Sequence, residues 1–205
     1  MSKGRLEAFS DGVLAVAITL LVLDLHVDPG AREGLLAQLL AAWPSFVAYI
    51  VSFLVIGVIW VNHHAIVRFV EVVDRPLLFW NLILLLFVTA LPFTTATLAG
   101  ALADGSASDV RVAAVLYGCT TTGFAVAFTF LYGRITKSQV TEGRMDAATR
   151  RRAIRRFGVG TVLYPVTTVI GLVSAPAMLA ALAALSFYYL FNQTGASERE
   201  PRIPT

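Results

Sequence analysis

The sequence contains little charge and almost no cysteine. Of its 205 residues, 14% are charged, and Cys119 is the single cysteine. One cysteine excludes an intrachain disulfide and any motif that needs several thiolates, whether for metal binding or for redox chemistry. The chain also lacks a phosphate-binding loop, an HExxH motif and a Ser/His/Asp arrangement. These absences argue against an enzyme and give no reason to expect a cofactor.

Apolar residues take the place of the missing charge. They make up 57% of the chain, and the mean hydropathy is +0.75. Unbroken apolar stretches recur where a soluble protein would show amphipathic periodicity, so the composition indicates an all-α integral membrane protein in contact with membrane lipid. The basic residues that give a pI of about 9.3 lie beside the apolar stretches, a placement that indicates membrane topology rather than nucleic-acid binding.

Six apolar segments are predicted to cross the membrane as helices. No linker or low-complexity segment divides them. Residues 1–192 are therefore predicted to form one six-helix transmembrane channel domain, and residues 193–205 a short cytoplasmic tail. The predicted helix cores are Phe9–Leu25, Pro44–Val61, Leu77–Leu98, Val112–Tyr132, Phe157–Val173 and Ala177–Phe191. A cleaved signal peptide is the competing interpretation of the first segment. Against it, Asp11 and Asp24 bracket the apolar run, and no clear small-x-small cleavage site follows.

Basic residues are distributed unevenly over the connections between these segments. The second-to-third connection holds Arg68 and Arg75, and the fourth-to-fifth holds eight Lys or Arg residues between positions 134 and 156. The alternate connections hold only Arg32 and Arg111, beside acidic residues. Because excess Lys and Arg stay on the cytoplasmic side, both termini are predicted to face the cytoplasm. The chain is thus predicted to be a multi-pass protein of the plasma membrane.

An acidic residue opens the first apolar segment. Residues Arg5–Asp11 read RLEAFSD, and the chain continues from Gly12 into GVLAVAITLLVLDL. A carboxylate that faces hydrocarbon is disfavoured by about 3 kcal/mol, so Asp11 must meet protein, water or an ion. At about 100° per residue, an apolar stripe with Thr19 at its edge lies almost opposite Asp11. The stripe consists of Phe9, Val16, Leu20, Leu23 and Val27. Periodicity alone leaves open whether lipid, other helices or a pore faces it.

A second group of polar residues is predicted at the same depth as Asp11. The second segment ends with Trp60-Val61-Asn62-His63-His64, and Asn81 lies near the start of the third. Trp60, His63 and Asn81 carry donors for the Asp11 carboxylate and the Ser10 hydroxyl, which predicts a polar layer between helices. The adjacent histidines could instead bind zinc. However, they project about 100° apart and have no acidic or cysteine partner at ligand spacing, so no metal site is predicted.

The run Arg5–Asp11 resembles the Arg-x-x-x-Phe-Ser-Asp signature of the bacterial transmembrane-protein-175 potassium-channel family. The resemblance extends over Trp60–Phe93, which includes Asn62-His63-His64 and Asn81. It implies a homotetramer in which the first helices of four subunits line a pore for potassium and other monovalent cations. By offset from the motif, it also implies that Val16 forms the narrowest ring, followed by Leu20 and Leu23, with the Thr19 hydroxyl nearby.

The predicted function is therefore a passive potassium-permeable channel with a hydrophobic gate. A narrow aliphatic ring expels water, and an ion cannot cross it unhydrated. Asp24, near the outer end of the first helix, is placed to raise the local cation concentration. The alternative function is a proton- or cation-coupled secondary transporter. Transporters commonly show two related halves, whereas residues 101–205 hold no second copy of the motif and no acidic residue in a span core.

Overall fold

Helices account for nearly all of the chain that the structure, a computed structural model, describes: residues 1–27, 34–141 and 147–194. Within these ranges the chain forms seven α-helices and one 3₁₀ segment. They are α1 (Lys3–Leu20), the 3₁₀ segment (Leu21–Asp24), α2 (Leu35–Ala41), α3 (Trp43–Val67), α4 (Arg75–Asp104), α5 (Ala107–Thr141), α6 (Ala147–Val173) and α7 (Ala175–Thr194). A helix satisfies its backbone polar groups internally, as hydrocarbon surroundings require.

The lengths of these helices match a membrane protein. Among the described residues, four stretches are long and apolar enough to span a bilayer: Lys3–Asp24, Trp43–Val67, Arg75–Asp104 and Ala107–Lys137. Two shorter apolar helices, Gly158–Val173 and Ala175–Leu190, follow them. The all-α prediction is therefore confirmed. Of the predicted tail, residues 195–205 lie outside the described ranges, and residues 193 and 194 continue α7.

The first predicted segment differs from the structure at its end. It was predicted as one helix to Leu25, but the α-helix ends at Leu20 and a 3₁₀ segment continues to Asp24. Helix ends commonly tighten in this way, and the Leu25 amide donates to the Val22 carbonyl at 3.0 Å. A 3₁₀ segment turns by about 120° per residue, so the 100° stripe describes α1 only as far as Leu20. The seven-residue helix α2 was not predicted, because a segment so short gives little periodic signal.

Five helices form a ring, and α1 lies outside it. Around the ring α3 packs on α4, α4 on α5, α5 on α6, α6 on α7, and α7 again on α3. Helix α1 packs on α3 and α4. Inside the ring, the Ser52 hydroxyl lies 2.8 Å from the Thr95 hydroxyl and 2.9 Å from the Tyr117 hydroxyl, which links α3, α4 and α5 by buried hydrogen bonds. These buried bonds join ring helices only, and the buried side chains of α1 extend the same hydrophobic core on the outside of the ring.

Two glycines allow α5 to approach its neighbours closely. A Cβ at Gly123 would lie 2.3 Å from the Phe87 ring of α4, and a Cβ at Gly118 would lie 2.5 Å from the Thr168 side chain of α6. Neither position has room for a larger residue. Small residues at helix contacts are the usual way in which membrane helices gain van der Waals contact, since lipid removes most of the hydrophobic driving force between them.

Asp74 should contribute to stability through two separate contacts. Its Oδ1 accepts a hydrogen bond from the Leu77 amide at 2.9 Å and so caps α4, and its Oδ2 pairs with Arg134 of α5. We expect Asp74→Ala to lower the unfolding free energy by about 1–2 kcal/mol, most of it from the lost cap. Asp74→Asn keeps a capping oxygen and should lose less than half as much. Thermal melting of the purified variants in detergent measures both, and equal losses would contradict a dominant cap.

Candidate functional site

Helix α1 and the 3₁₀ segment that follows it have two unlike faces. One face is buried against α3 and α4, with residues spaced three or four apart: Leu6, Ser10, Leu14, Ala17 and Leu21. The other side is apolar and exposed, and it contains the predicted stripe. The exposed fractions on the single chain are 50% for Phe9, 56% for Val16, 43% for Leu20 and 70% for Leu23. The described part of the chain therefore holds α1 by one face and leaves its aliphatic face exposed.

Polar contacts fix the register of α1 against α3. They form a ladder of three rungs, in which each step moves four residues forward along α1 and four residues back along α3. This spacing is one helical turn per rung on two antiparallel helices. The rungs, called here the N-terminal ladder, are Lys3 Nζ to the Arg68 carbonyl (2.5 Å), Glu7 Oε1 to His64 Nδ1 (3.1 Å) and Asp11 Oδ1 to Trp60 Nε1 (3.1 Å).

A second contact joins α1 to both α3 and α4 and is fully buried. Asn81 Oδ1 accepts a hydrogen bond from His63 Nε2 at 2.8 Å, and Asn81 Nδ2 donates to Ser10 Oγ at 3.0 Å. Ser10 Oγ in turn donates to the Leu6 carbonyl at 2.9 Å. Because a carbonyl oxygen only accepts, this geometry assigns the proton of neutral His63 to Nε2. Asn81 is thus the residue through which the Ser10–His63–Asn81 cluster is connected.

The structure divides the predicted polar layer into two parts. Trp60 donates a hydrogen bond to Asp11, whereas Asn81 bonds to Ser10 on one side and to His63 on the other. The carboxylate is half-buried and Trp60 is 46% exposed, so their bond lies at the edge of the subunit. Sequence reasoning missed the other two rungs of the ladder. Their signal was the four-residue spacing of polar residues near the start of α1, repeated near the end of α3.

The other predicted site residues lie around the exposed face of α1. Arg5 is exposed one turn before Phe9, at the N-terminal end of this face. The Thr19 hydroxyl is exposed and donates to the Val16 carbonyl at 2.8 Å, so only its lone pairs remain available. Asp24 is half-buried at the end of the 3₁₀ segment.

The fold and this site define an α-helical membrane protein whose first helix is anchored along one face and apolar and uncovered along the other. Residues 5–92, which contain most of α1, all of α2 and α3 and the first part of α4, match the family described as the endosomal/lysosomal potassium channel TMEM175. A potassium channel of Streptomyces collinus is 46% identical over 205 residues, which cover 99% of this chain and 98% of that protein. The chain belongs to the TMEM175 family.

Two further comparisons agree with this membership. A potassium channel of Chamaesiphon minutus is 38% identical over 199 residues, covering 91% of this chain and 92% of that protein. The crystal structure of a lysosomal potassium-selective channel TMEM175 homologue from Chamaesiphon minutus superposes with a TM-score of 0.79 at 35% identity. The superposition covers 93% of this chain and 97% of that one. The family predicted from the sequence is thus confirmed.

Proposed function

We propose that this chain is one subunit of a passive potassium-permeable cation channel whose pore is lined by α1. The observation that carries the proposal is the placement of α1 outside the ring of α3–α7, with an apolar face that no described residue of the chain covers. The contacts around the ring close without α1, which packs on α3 and α4 only along its buried face. The names of the relatives, which are potassium channels, support the same function.

A single α1 cannot enclose a pore, so the remaining walls must come from other copies of the chain. Closed cyclic symmetry supplies them most simply, and the proposed assembly is a homotetramer with four α1 helices around the axis. In this assembly Val16, Leu20 and Leu23 form the constriction. Thr19 places a hydroxyl beside it, Asp24 lies at the outer mouth, and Arg5 lies at the inner mouth.

The proposed topology has six membrane helices, α1 and α3–α7, within residues 1–192. The channel is proposed to lie in the plasma membrane with both termini in the cytoplasm. Arg68 and Arg75 flank the α3–α4 connection, and the basic residues from Arg134 onward flank the α5–α6 connection. Their excess over the alternate connections supports this orientation. The N-terminal ladder and the Ser10–His63–Asn81 cluster then lie near the inner membrane surface.

The proposed gate works by the wetting of an aliphatic bore. Leucine and valine side chains offer water no hydrogen bonds, so a bore only a few ångströms wide empties, and an ion cannot shed its hydration to cross it. Conduction then requires the α1 helices to move apart or rotate. The N-terminal ladder and the Ser10–His63–Asn81 cluster oppose sliding of α1 along α3, because a shift by one turn would break both sets of contacts together.

Recording from the purified protein in a planar bilayer, under a potassium/sodium gradient, tests the function. Ohmic unitary currents are expected, with a reversal potential shifted from zero toward the potassium equilibrium potential. Leu20→Phe, which narrows the proposed bore, serves as the matched control that the currents belong to this protein. Electrically silent flux that requires a second ion gradient would instead support a coupled transporter.

Gly12 provides a test of the assembly. It lies on the exposed side of α1, and a Cβ there would meet nothing within 4 Å in the chain. Gly12→Leu should therefore leave the subunit folded but separate adjacent α1 helices, with loss of most of the tetramer in size-exclusion chromatography and chemical cross-linking. Gly133→Leu, on α5 and equally open, is the control and should remain tetrameric. A Gly12→Leu protein that stays fully tetrameric would contradict the packing of four α1 helices at the axis.

A further inference from the structure

A small cavity lies on the side of α3 that faces away from α1. It has a volume of about 40 Å³, is lined by α3, α5, α6 and α7, and is partly open to the surface of the single chain. Most of its wall is aromatic or aliphatic. Its lining includes Asn62 of α3, Phe124 and Phe128 of α5, Gly160 and Tyr164 of α6, and Tyr189 of α7. The cavity is separate from the proposed pore and from the contacts that hold α1.

Two buried polar side chains line this cavity; the oxygen of one has no hydrogen-bond partner among the described residues, and the hydroxyl of the other lies against the Gly160 backbone without a hydrogen bond of normal geometry. They are, in that order, Asn62 and Tyr189, which are only 6% and 7% exposed. The Asn62 amide nitrogen donates to the Val58 carbonyl at 2.8 Å, which fixes the amide and leaves its oxygen unpaired. An unpaired buried group is disfavoured by about 1–3 kcal/mol, and native proteins commonly satisfy such groups with internal water.

We infer that the cavity is a binding site for one or two ordered water molecules that bridge Asn62 and Tyr189. A water molecule needs a cavity of roughly 10–15 Å³, so the observed volume admits water, whereas organic ligands need several hundred cubic ångströms. The chemistry of the partners also fits. The Asn62 oxygen can only accept, the Tyr189 hydroxyl can donate or accept, and water supplies two donors and two acceptors.

Gly160 keeps this space open. A Cβ at that position would lie 2.9 Å from the Tyr189 hydroxyl and 3.6 Å from the Tyr164 ring. Asn62 also precedes His63, and the two adjacent side chains leave α3 in different directions. His63 bonds to the cluster that holds α1, and Asn62 faces the cavity. The bound water therefore ties α7 to the same turn of α3 that anchors α1.

X-ray radiolytic footprinting of the intact tetramer in ¹⁸O-labelled water tests the site directly, because radicals formed from a bound water modify the side chains beside it. Tyr189 should be modified several-fold faster than Tyr117. Tyr117 is an equally suitable buried phenol, but its hydroxyl is bonded to Ser52 and does not line the cavity. Gly160→Ala, whose methyl occupies the space, should reduce the Tyr189 rate to that of Tyr117. Equal rates in the unmodified protein, or a Tyr189 rate that Gly160→Ala leaves unchanged, would overturn the inference.

Thermal melting gives a second, independent measurement. If one water bridges the two groups, Asn62→Leu and Tyr189→Phe should each lower the melting temperature by a few degrees. The double variant should lose no more than the worse single variant, because the shared water is lost only once. In a dry cavity each substitution removes an unpaired polar group, so the melting temperature would stay unchanged or rise. That outcome would count against the water site without bearing on the proposed channel function.

Discussion

Replacing Leu20 with alanine should raise the unitary conductance several-fold and weaken the discrimination between potassium and sodium. Leu20 lies on the exposed face of α1, in the apolar run that follows Ser10 and Asp11. In a tetramer the substitution shortens the side chain on all four sides of the bore. A wider aliphatic ring stays wet, so an ion crosses it with more of its hydration shell. Single-channel conductance and reversal potentials under a potassium/sodium gradient measure the two effects.

The matched control for Leu20 is Ile18, which is partly buried on the other side of α1 and packs against the core. Ile18→Ala should lower the melting temperature and leave permeation unchanged. Val16→Ala should act in the same direction as Leu20→Ala, and the larger of the two effects identifies the narrower ring. If Ile18→Ala changed permeation while Leu20→Ala did not, the assignment of the pore-facing side of α1 would be wrong.

The long helices and the polar contacts at the start of α1 could be predicted from the sequence because they depend on local composition and on the chemistry of a few residues. An unbroken apolar run has few alternatives to a membrane helix, and a carboxylate such as Asp11 at its start must find a polar partner. For the same reason the sequence predicts polar partners for Ser10 and Asp11 among Trp60, His63 and Asn81, and the structure brings these side chains together near the start of α1. These inferences use local composition and chain order, which a sequence states directly.

The pairing within that layer could not be predicted, because it depends on how one helix is rotated and shifted against another. Asp11 bonds to Trp60, and Ser10 to Asn81, only in the register that α1 adopts on α3 and α4. The change from α-helix to 3₁₀ helix at Leu21–Asp24 could not be predicted either, because that segment contains no proline or glycine. Likewise, Asn62 and Tyr189 are far apart in the chain, and nothing in either segment indicates that they share a cavity.

The largest loss of stability among the contacts that hold α1 is expected from Asn81→Ala. Asn81 is 1% exposed and bonds to both Ser10 and His63. Its removal leaves the buried His63 without any hydrogen bond, since Nδ1 already has no partner among the described residues. Ser10 loses its donor but keeps its own bond to the Leu6 carbonyl. At about 1–3 kcal/mol for a buried group left unpaired, the loss at His63 alone should be about 1–3 kcal/mol, and the donor lost at Ser10 adds to it.

Asp11→Ala is the informative comparison for Asn81→Ala. It removes one hydrogen bond, and the donor left behind is Trp60, whose exposed ring edge can turn toward water or lipid headgroups. We therefore expect a loss of about 1 kcal/mol, and less for Asp11→Asn, because one carbonyl oxygen still accepts from Trp60. Melting temperatures and size-exclusion profiles measure the stability of the Asp11 and Asn81 variants.

Surviving channels of either variant should keep the relative permeability of the unmodified protein, because neither substitution changes an atom on the exposed aliphatic face. A stable Asp11→Ala tetramer with a shifted reversal potential would place Asp11 on the ion path instead, and an Asn81→Ala tetramer as stable as the unmodified protein would show that the buried cluster does not hold α1.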